Sequence, residues 1–246
     1  MERGKLVFPT VTASPPLRTT APVKGAGTVQ FGNGKAIEED AESANAVVAA
    51  DLDGDGDQDL VVNSFGGGFV TWYENEDGKG TFSEAIEIAT NSSGARRTAV
   101  GDLDGDGFAD IVAPNAEDNQ ITCYKGLDGG VFSAGNVIET DTPKDVLLHD
   151  MDGDGHLDLI FTSDDNDRVA WYQNIDGEGT FEAAQDISTT SGGASRVAAA
   201  DIDGDGIVDL VVASTNDRVE WFKNSGGVFS LGVELEEEES PAIGAM

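Results

Sequence analysis

The sequence predicts an all-β chain assembled from repeated four-stranded antiparallel blades. Three observations carry that expectation. One nine-residue acidic phrase returns four times, as DLDGDGDQD at 51–59, DLDGDGFAD at 102–110, DMDGDGHLD at 150–158 and DIDGDGIVD at 201–209, at spacings of 51, 48 and 51 residues. Each copy lies between two short apolar runs. Glycine is abundant, at 32 of 246 residues, which suits short strands and tight turns better than long helices. Four strand-like stretches in a period of about 50 residues are the pattern of a β-propeller blade.

The elements follow in the same order in every unit. A first strand is expected in the apolar run before the acidic phrase: AVVAA, TAV, VLLH and VAAA. The phrase itself is a turn, because its two glycines permit a sharp reversal. A second strand follows in DLVVN, DIVAP, DLIFT and DLVVA. After turn chemistry such as NDR, a third strand carries an aromatic slot: Trp72-Tyr73, Cys123-Tyr124, Trp171-Tyr172 and Trp221-Phe222. A Gly-x-Phe ends each unit, at Phe82, Phe132, Phe181 and Phe229, and marks the fourth strand. A helical solenoid would need 3.6-residue spacing, which is not present.

Phe31 stands 20 residues before Asp51, as Phe82 does before Asp102, so it reads as an extra N-terminal outer strand. Ser240-Pro241 resembles Thr142-Pro143 and would place another loop near position 248. The expectation is four full repeats plus a surplus strand over residues 28–246, a partial or open propeller whose unpaired edges invite self-association. Residues 1–27 hold four of the seven prolines among Thr, Ser and Ala, and read as a disordered arm or linker.

Charge excludes some partners. The net charge is −33, and residues 1–35 carry five bases against one acid, which leaves −37 on the rest. Such a chain is not built for a nucleic-acid backbone or an anionic membrane. No apolar run of 18 residues is present to span a bilayer, and no secretory apolar stretch follows the start. The single cysteine, Cys123, cannot form an internal disulfide framework.

The acidic phrase has the chemistry of a hard-cation site. In D-x-D-G-D-G-x-x-D, carboxylates at positions 1, 3, 5 and 9 and the backbone carbonyl of position 7 supply only oxygen. The candidate ligands are Asp51, Asp53, Asp55, Asp57 and Asp59; Asp102, Asp104, Asp106, Phe108 and Asp110; Asp150, Asp152, Asp154, His156 and Asp158; Asp201, Asp203, Asp205, Ile207 and Asp209. Position 7 varies from Asp to Phe, His and Ile, as expected if only its carbonyl binds. An EF-hand needs Glu at position 12 and flanking helices. Here position 12 is Val62, Ala113, Phe161 or Val212, inside an apolar run. Solvated acidic turns would not require the whole phrase four times between apolar runs. Magnesium prefers stricter octahedral geometry with fewer protein ligands, so about four Ca²⁺ ions are expected.

These repeats resemble the FG-GAP/VCBS repeats of integrin α-subunit propellers and related calcium-loaded propellers, including some fungal lectins. The likeness rests on DxDGDGxxD between two strands, the aromatic strand, and Phe31-Gly32 or Gly-x-Phe near the end of the repeat. It implies calcium in the loop joining the first two strands of each blade. It also implies an extracellular or cell-surface place and a protein or carbohydrate ligand.

Other residues read more plainly. The tryptophans are expected to pack between blades, with Cys123 a small hydrophobe in the same slot. Arg168 and Arg218 belong to turns and should find local carboxylates. The SFGGGFV stretch of the first unit is a local binding loop or a flexible turn. His149 and His156 have no triad or zinc partner, and the sequon at Asn91 is what chance supplies. Carboxylates in four identical copies build a scaffold and do not single out an acid/base pair, so no catalysis is expected. Two functions remain: a calcium-binding interaction or adhesion module, or an accessory propeller region of a larger secreted hydrolase or lyase.

Overall fold

The structure is a computed structural model that describes residues 36–38, 43–66, 68–89, 94, 96–133 and 135–230. The chain divides into two compact units, Met1–Ala36 and Ile37–Met246. The proposed arm, Phe31, the Asn91 sequon and Ser240-Pro241 lie outside the described residues. No described residue is helical.

Four antiparallel sheets of four strands succeed one another in the second unit. The first holds β1 (Ala44–Ala50), β2 (Asp59–Ser64), β3 (Phe69–Tyr73) and β4 (Ile86–Ala89). The second holds β5 (Ala99–Gly101), β6 (Asp110–Asn115) and β7 (Gln120–Tyr124); a small ribbon of β8 (Gly126–Leu127) and β9 (Val131–Phe132) then precedes its outer strand β10 (Asn136–Glu139). The third holds β11 (Pro143–His149), β12 (Asp158–Ser163), β13 (Arg168–Tyr172) and β14 (Gln185–Ser188). The fourth holds β15 (Ala194–Ala200), β16 (Asp209–Ser214), β17 (Val219–Asn224) and β18 (Phe229–Ser230). Each acidic phrase is the loop between the first two strands of its blade, and the last aspartate of the phrase opens the second strand.

The cores lie between blades. The second strands of the two middle blades, β6 and β12, are buried at every residue because both faces are covered, whereas β2 and β16 keep partly exposed positions. In β12, Leu159 and Phe161 pack toward the second blade, with Leu103, Ile121 and Tyr172. Ile160, between them, packs toward the fourth blade with Met151, Trp171 and Leu210. A third cluster, with Leu52, Val61, Trp72, Ile111 and Tyr124, joins the first two blades. Position 2 of each acidic phrase enters these cores: Leu52, Leu103 and Met151 are buried, whereas Ile202 of the fourth blade is 48% exposed. Among the described residues no such cluster joins the fourth sheet to the first, so the blades form an open succession.

The fourth strands differ from the sequence expectation. Gly-x-Phe does not supply the outer strand of the first three blades; Ile86–Ala89, Asn136–Glu139 and Gln185–Ser188 do. Phe82 and Phe181 instead bridge back to Asn75 and Asn174, and Phe132 sits in the small ribbon. Inter-blade packing accounts for the displacement. Phe132 meets Trp72 of the preceding blade edge to face at 6.4 Å, and Phe229 meets Trp171 at 6.0 Å. Both indoles are buried, at 4% exposure, as the repeat position suggested, whereas Trp221 of the fourth blade is only partly buried and outside the inter-blade clusters.

Candidate metal centre

Each acidic loop is wound around its own backbone amides. The first aspartate accepts two N–H groups, Asp51 taking those of Gly54 and Gly56 at 2.8 and 3.0 Å. Asp102, Asp150 and Asp201 repeat this at 2.7 to 3.0 Å. Both donors are glycines with positive φ, +83° and +95° in the first loop, a conformation other residues resist. The aspartate at position 3 accepts from the N–H of position 5 at 3.1 to 3.3 Å. The one at position 5 accepts from position 7 at 2.8 to 3.0 Å.

Position 9 does more than close the loop. Asp59, Asp110, Asp158 and Asp209 are buried. One oxygen of each accepts the N–H of position 2 at 2.7 to 3.2 Å. The other accepts an N–H just beyond the third strand, from Asn75, Gly126, Asn174 or Asn224, at 2.7 to 2.9 Å. The carboxylate thus pins the loop to the end of the aromatic strand.

The fold brings the aspartates of positions 1, 3 and 9 together in every blade. One oxygen from each of Asp51, Asp53 and Asp59 lies within 4.8 Å of the other two, and the same holds for Asp102, Asp104 and Asp110, for Asp150, Asp152 and Asp158, and for Asp201, Asp203 and Asp209. Position 5 stands outside each trio and is exposed. Position 7 carries Asp57, Phe108, His156 and Ile207, side chains with no common chemistry. An all-oxygen donor set of clustered carboxylates fits a hard divalent cation such as Ca²⁺. The crowding shows in the proton equilibria. Burial, reinforced by the neighbouring carboxylates, holds Asp53, Asp110 and Asp158 above the ordinary carboxylate range.

Two loops carry a positive group of their own. The Lys125 ammonium contacts Asp104 and lies 3.0 Å from Asp106. The Lys223 ammonium contacts Asp203 and lies 2.7 Å from Asp205. A cation among these carboxylates is therefore part of the folded chain. Asp106 is held low mainly by the Phe108 N–H and also by Lys125; Asp205 is held low mainly by Lys223.

Sequence reasoning missed the asparagine that follows the aromatic pair. Asn174 Nδ2 donates to the carbonyl of Leu103, in the preceding blade's acidic loop, at 2.8 Å, and to Leu157 at 3.1 Å. Asn224 repeats this on Met151 at 2.7 Å and on Val208 at 2.9 Å. The recurrence of Asn at 75, 174 and 224 was the available signal. Asp145 was missed as well. Buried in β11, it accepts the Val197 N–H of the next blade at 3.0 Å and lies 3.8 Å from Arg97 of the previous one. No repeat flagged it.

The remaining candidates have local explanations. Arg168 binds Asp186 at 2.5 Å and Asp141 at 3.3 Å, and Arg218 lies 3.8 Å from Glu220. Phe65 of the SFGGGFV turn carries the Arg96 guanidinium 4.7 Å above its ring. Cys123 is partly buried, and burial pushes its thiol up to about 12, far from a nucleophile's range. His149 Nδ1 faces the Asp150 carbonyl at 3.0 Å, and His156 Nδ1 lies 3.5 Å from Asp154.

Comparison with known proteins agrees with this geometry. The FG-GAP-like repeat family matches residues 51–113 and 150–212, each stretch opening on an acidic loop and together just over half of the chain. A solved Agrocybe aegerita lectin, described as recognising non-reducing terminal N-acetylglucosamine, is 26% identical with a TM-score of 0.56, over 77% of this chain and 51% of its own. A putative 6-phosphogluconolactonase from Bacteroides uniformis is 16% identical with a TM-score of 0.54, over 76% of this chain and 53% of its own, and shares the fold. The chain spans about half the length of these structures. No curated protein matches it.

Proposed function

The chain belongs to the FG-GAP-like repeat family, and from that premise we propose that it is a calcium-binding, non-catalytic β-propeller module that engages a carbohydrate or protein ligand outside the cell. The observation that carries the reading is the same three-carboxylate cluster at the same loop of all four blades. The aspartates of positions 1, 3 and 9 would hold the ion, which when bound would neutralise them and tie each loop to its second strand. These carboxylates are committed to backbone amides, in four copies, which suits scaffolding and not acid/base chemistry. The extracellular placement follows the habit of the family.

Between the two ligand classes, the likeness to the Agrocybe lectin favours carbohydrate. A glycan array probed with the purified chain in calcium and in chelator tests this. Calcium-dependent binding to a defined sugar terminus is expected. Binding to no sugar in either condition would remove the lectin form and leave a protein ligand.

A further inference from the structure

The four loops share their carboxylates but not the residue that faces them. The position directly after the aromatic pair is Glu74 in the first blade, Lys125 in the second, Gln173 in the third and Lys223 in the fourth. In the second and fourth blades the lysine reaches both position 3 and position 5 of its loop. In the third, Gln173 donates from Nε2 to Asp152, a neutral contact at the same place. In the first, a carboxylate occupies the slot, and position 7 adds Asp57, another acid absent from the other loops. Formal charge therefore runs from −6 around loop one, counting Asp51, Asp53, Asp55, Asp57, Asp59 and Glu74, to −3 around loops two and four, where four aspartates meet one lysine.

We propose that this slot grades the calcium affinity of the blades: Lys125 and Lys223 are tethered counter-ions that compete with calcium in loops two and four, so loops one and three fill first. The inference rests on the calcium reading above. An ammonium is a compact point charge on a flexible stem. The side chains of Lys125 and Lys223 are 44% and 37% exposed, so both can swing into solvent when a divalent ion takes their carboxylates. They lower affinity without blocking the site. Ligand charge count is one of the variables that spreads calcium affinity over orders of magnitude among oxygen-ligand loops. The converse holds in low calcium: loops two and four keep a positive partner, and loops one and three have none from this slot.

Calcium titration of the full chain by calorimetry, with ion counting by native mass spectrometry, tests the proposal. The unmodified protein should bind in two classes, two ions tightly and two at least about tenfold more weakly. Lys125→Met with Lys223→Met should tighten the weak class by about tenfold and lower the melting temperature in chelator, whereas Glu74→Gln should weaken one tight site. Circular dichroism of each variant establishes that it is folded. Four equivalent ions in the unmodified protein, with an isotherm unchanged in the double variant, would overturn the grading while leaving calcium binding intact. Absence of any bound ion in every protein would instead overturn the calcium reading itself.

Discussion

At Asp158 one carboxylate accepts the backbone N–H groups of Met151 and Asn174 and also faces Asp150 and Asp152. The hydrogen bonds hold the loop whether or not a metal is present, so the two functions can be separated by working in chelator. Asp158→Ala leaves two buried donors unpaired, and a buried unsatisfied group costs about 1–3 kcal/mol. Relief of repulsion against Asp152 offsets part of that, so a loss of about 1–3 kcal/mol in total is expected. Asp154→Ala removes an exposed carboxylate that accepts the N–H of His156 at 2.9 Å and lies 3.5 Å from its ring nitrogen, and should stay within about 0.5 kcal/mol. Urea denaturation of both variants without calcium gives the comparison. Equal losses at the two positions would show that Asp158 matters only as a metal ligand.

At the scale of the blade, the Gly-x-Phe motif is an inter-blade joint. A Cβ built on Gly227 would stand 2.7 Å from the Trp171 ring of the preceding blade, at a φ of +83°. Gly227→Ala must therefore push the indole off Phe229 or unseat the turn, and overpacking of this kind costs about 1–3 kcal/mol. Gly179 is the control. Its slot in the preceding blade holds Cys123 in place of Trp, and a Cβ there would meet Leu103 at an ordinary 3.8 Å. Gly179→Ala should lose only the cost of its own φ of +74°, and thermal melting of the two variants should rank them accordingly. This joint explains what the sequence showed and what it hid. The first three strands were legible because apolar runs abut the acidic phrases, and the clusters were legible because four copies fix the spacing. The fourth strand of the first three blades was not, because the Gly-x-Phe aromatic looks like an outer-strand residue but lies in a bridge or ribbon ahead of that strand, where Phe132 serves the neighbouring blade's tryptophan. Only in the fourth blade does Phe229 open the outer strand itself. Segments such as IEIA and NVIE, half exposed and short, carry too little apolar pattern to announce an edge strand. Lys125 and Lys223 reach their loops from about 20 residues away in sequence, a distance no local motif spans.

Across the whole molecule, calcium binding as proposed makes the acidic clusters couple stability to the ion and to protons together. At ten times its dissociation constant each occupied site adds about 1.4 kcal/mol. Four such sites give roughly 6 kcal/mol, comparable with the entire stability of a typical domain, about 5–15 kcal/mol. The proton effect runs opposite to that of a paired carboxylate. Asp53, Asp110 and Asp158 are raised, chiefly by burial, as is Asp145 away from the loops. A carboxyl raised on folding binds its proton more tightly in the native state. The associated stability is fully present below the ordinary unfolded value and is lost as pH rises from there through the raised folded value. Asp106 and Asp205, held low, act in the other sense, but only below the ordinary carboxylate value of about 4. Calcium-free protein should accordingly gain stability as pH falls through the raised values of these groups toward the ordinary carboxylate value of about 4. Calcium-loaded protein should not, because protons then compete for the ligand oxygens. Scanning calorimetry at several pH values, with and without calcium, should show a gap in melting temperature that is widest at neutral pH and narrows as pH falls toward the ordinary carboxylate value of about 4. A gap of constant width would mean that the stabilising ion is not held by these carboxylates.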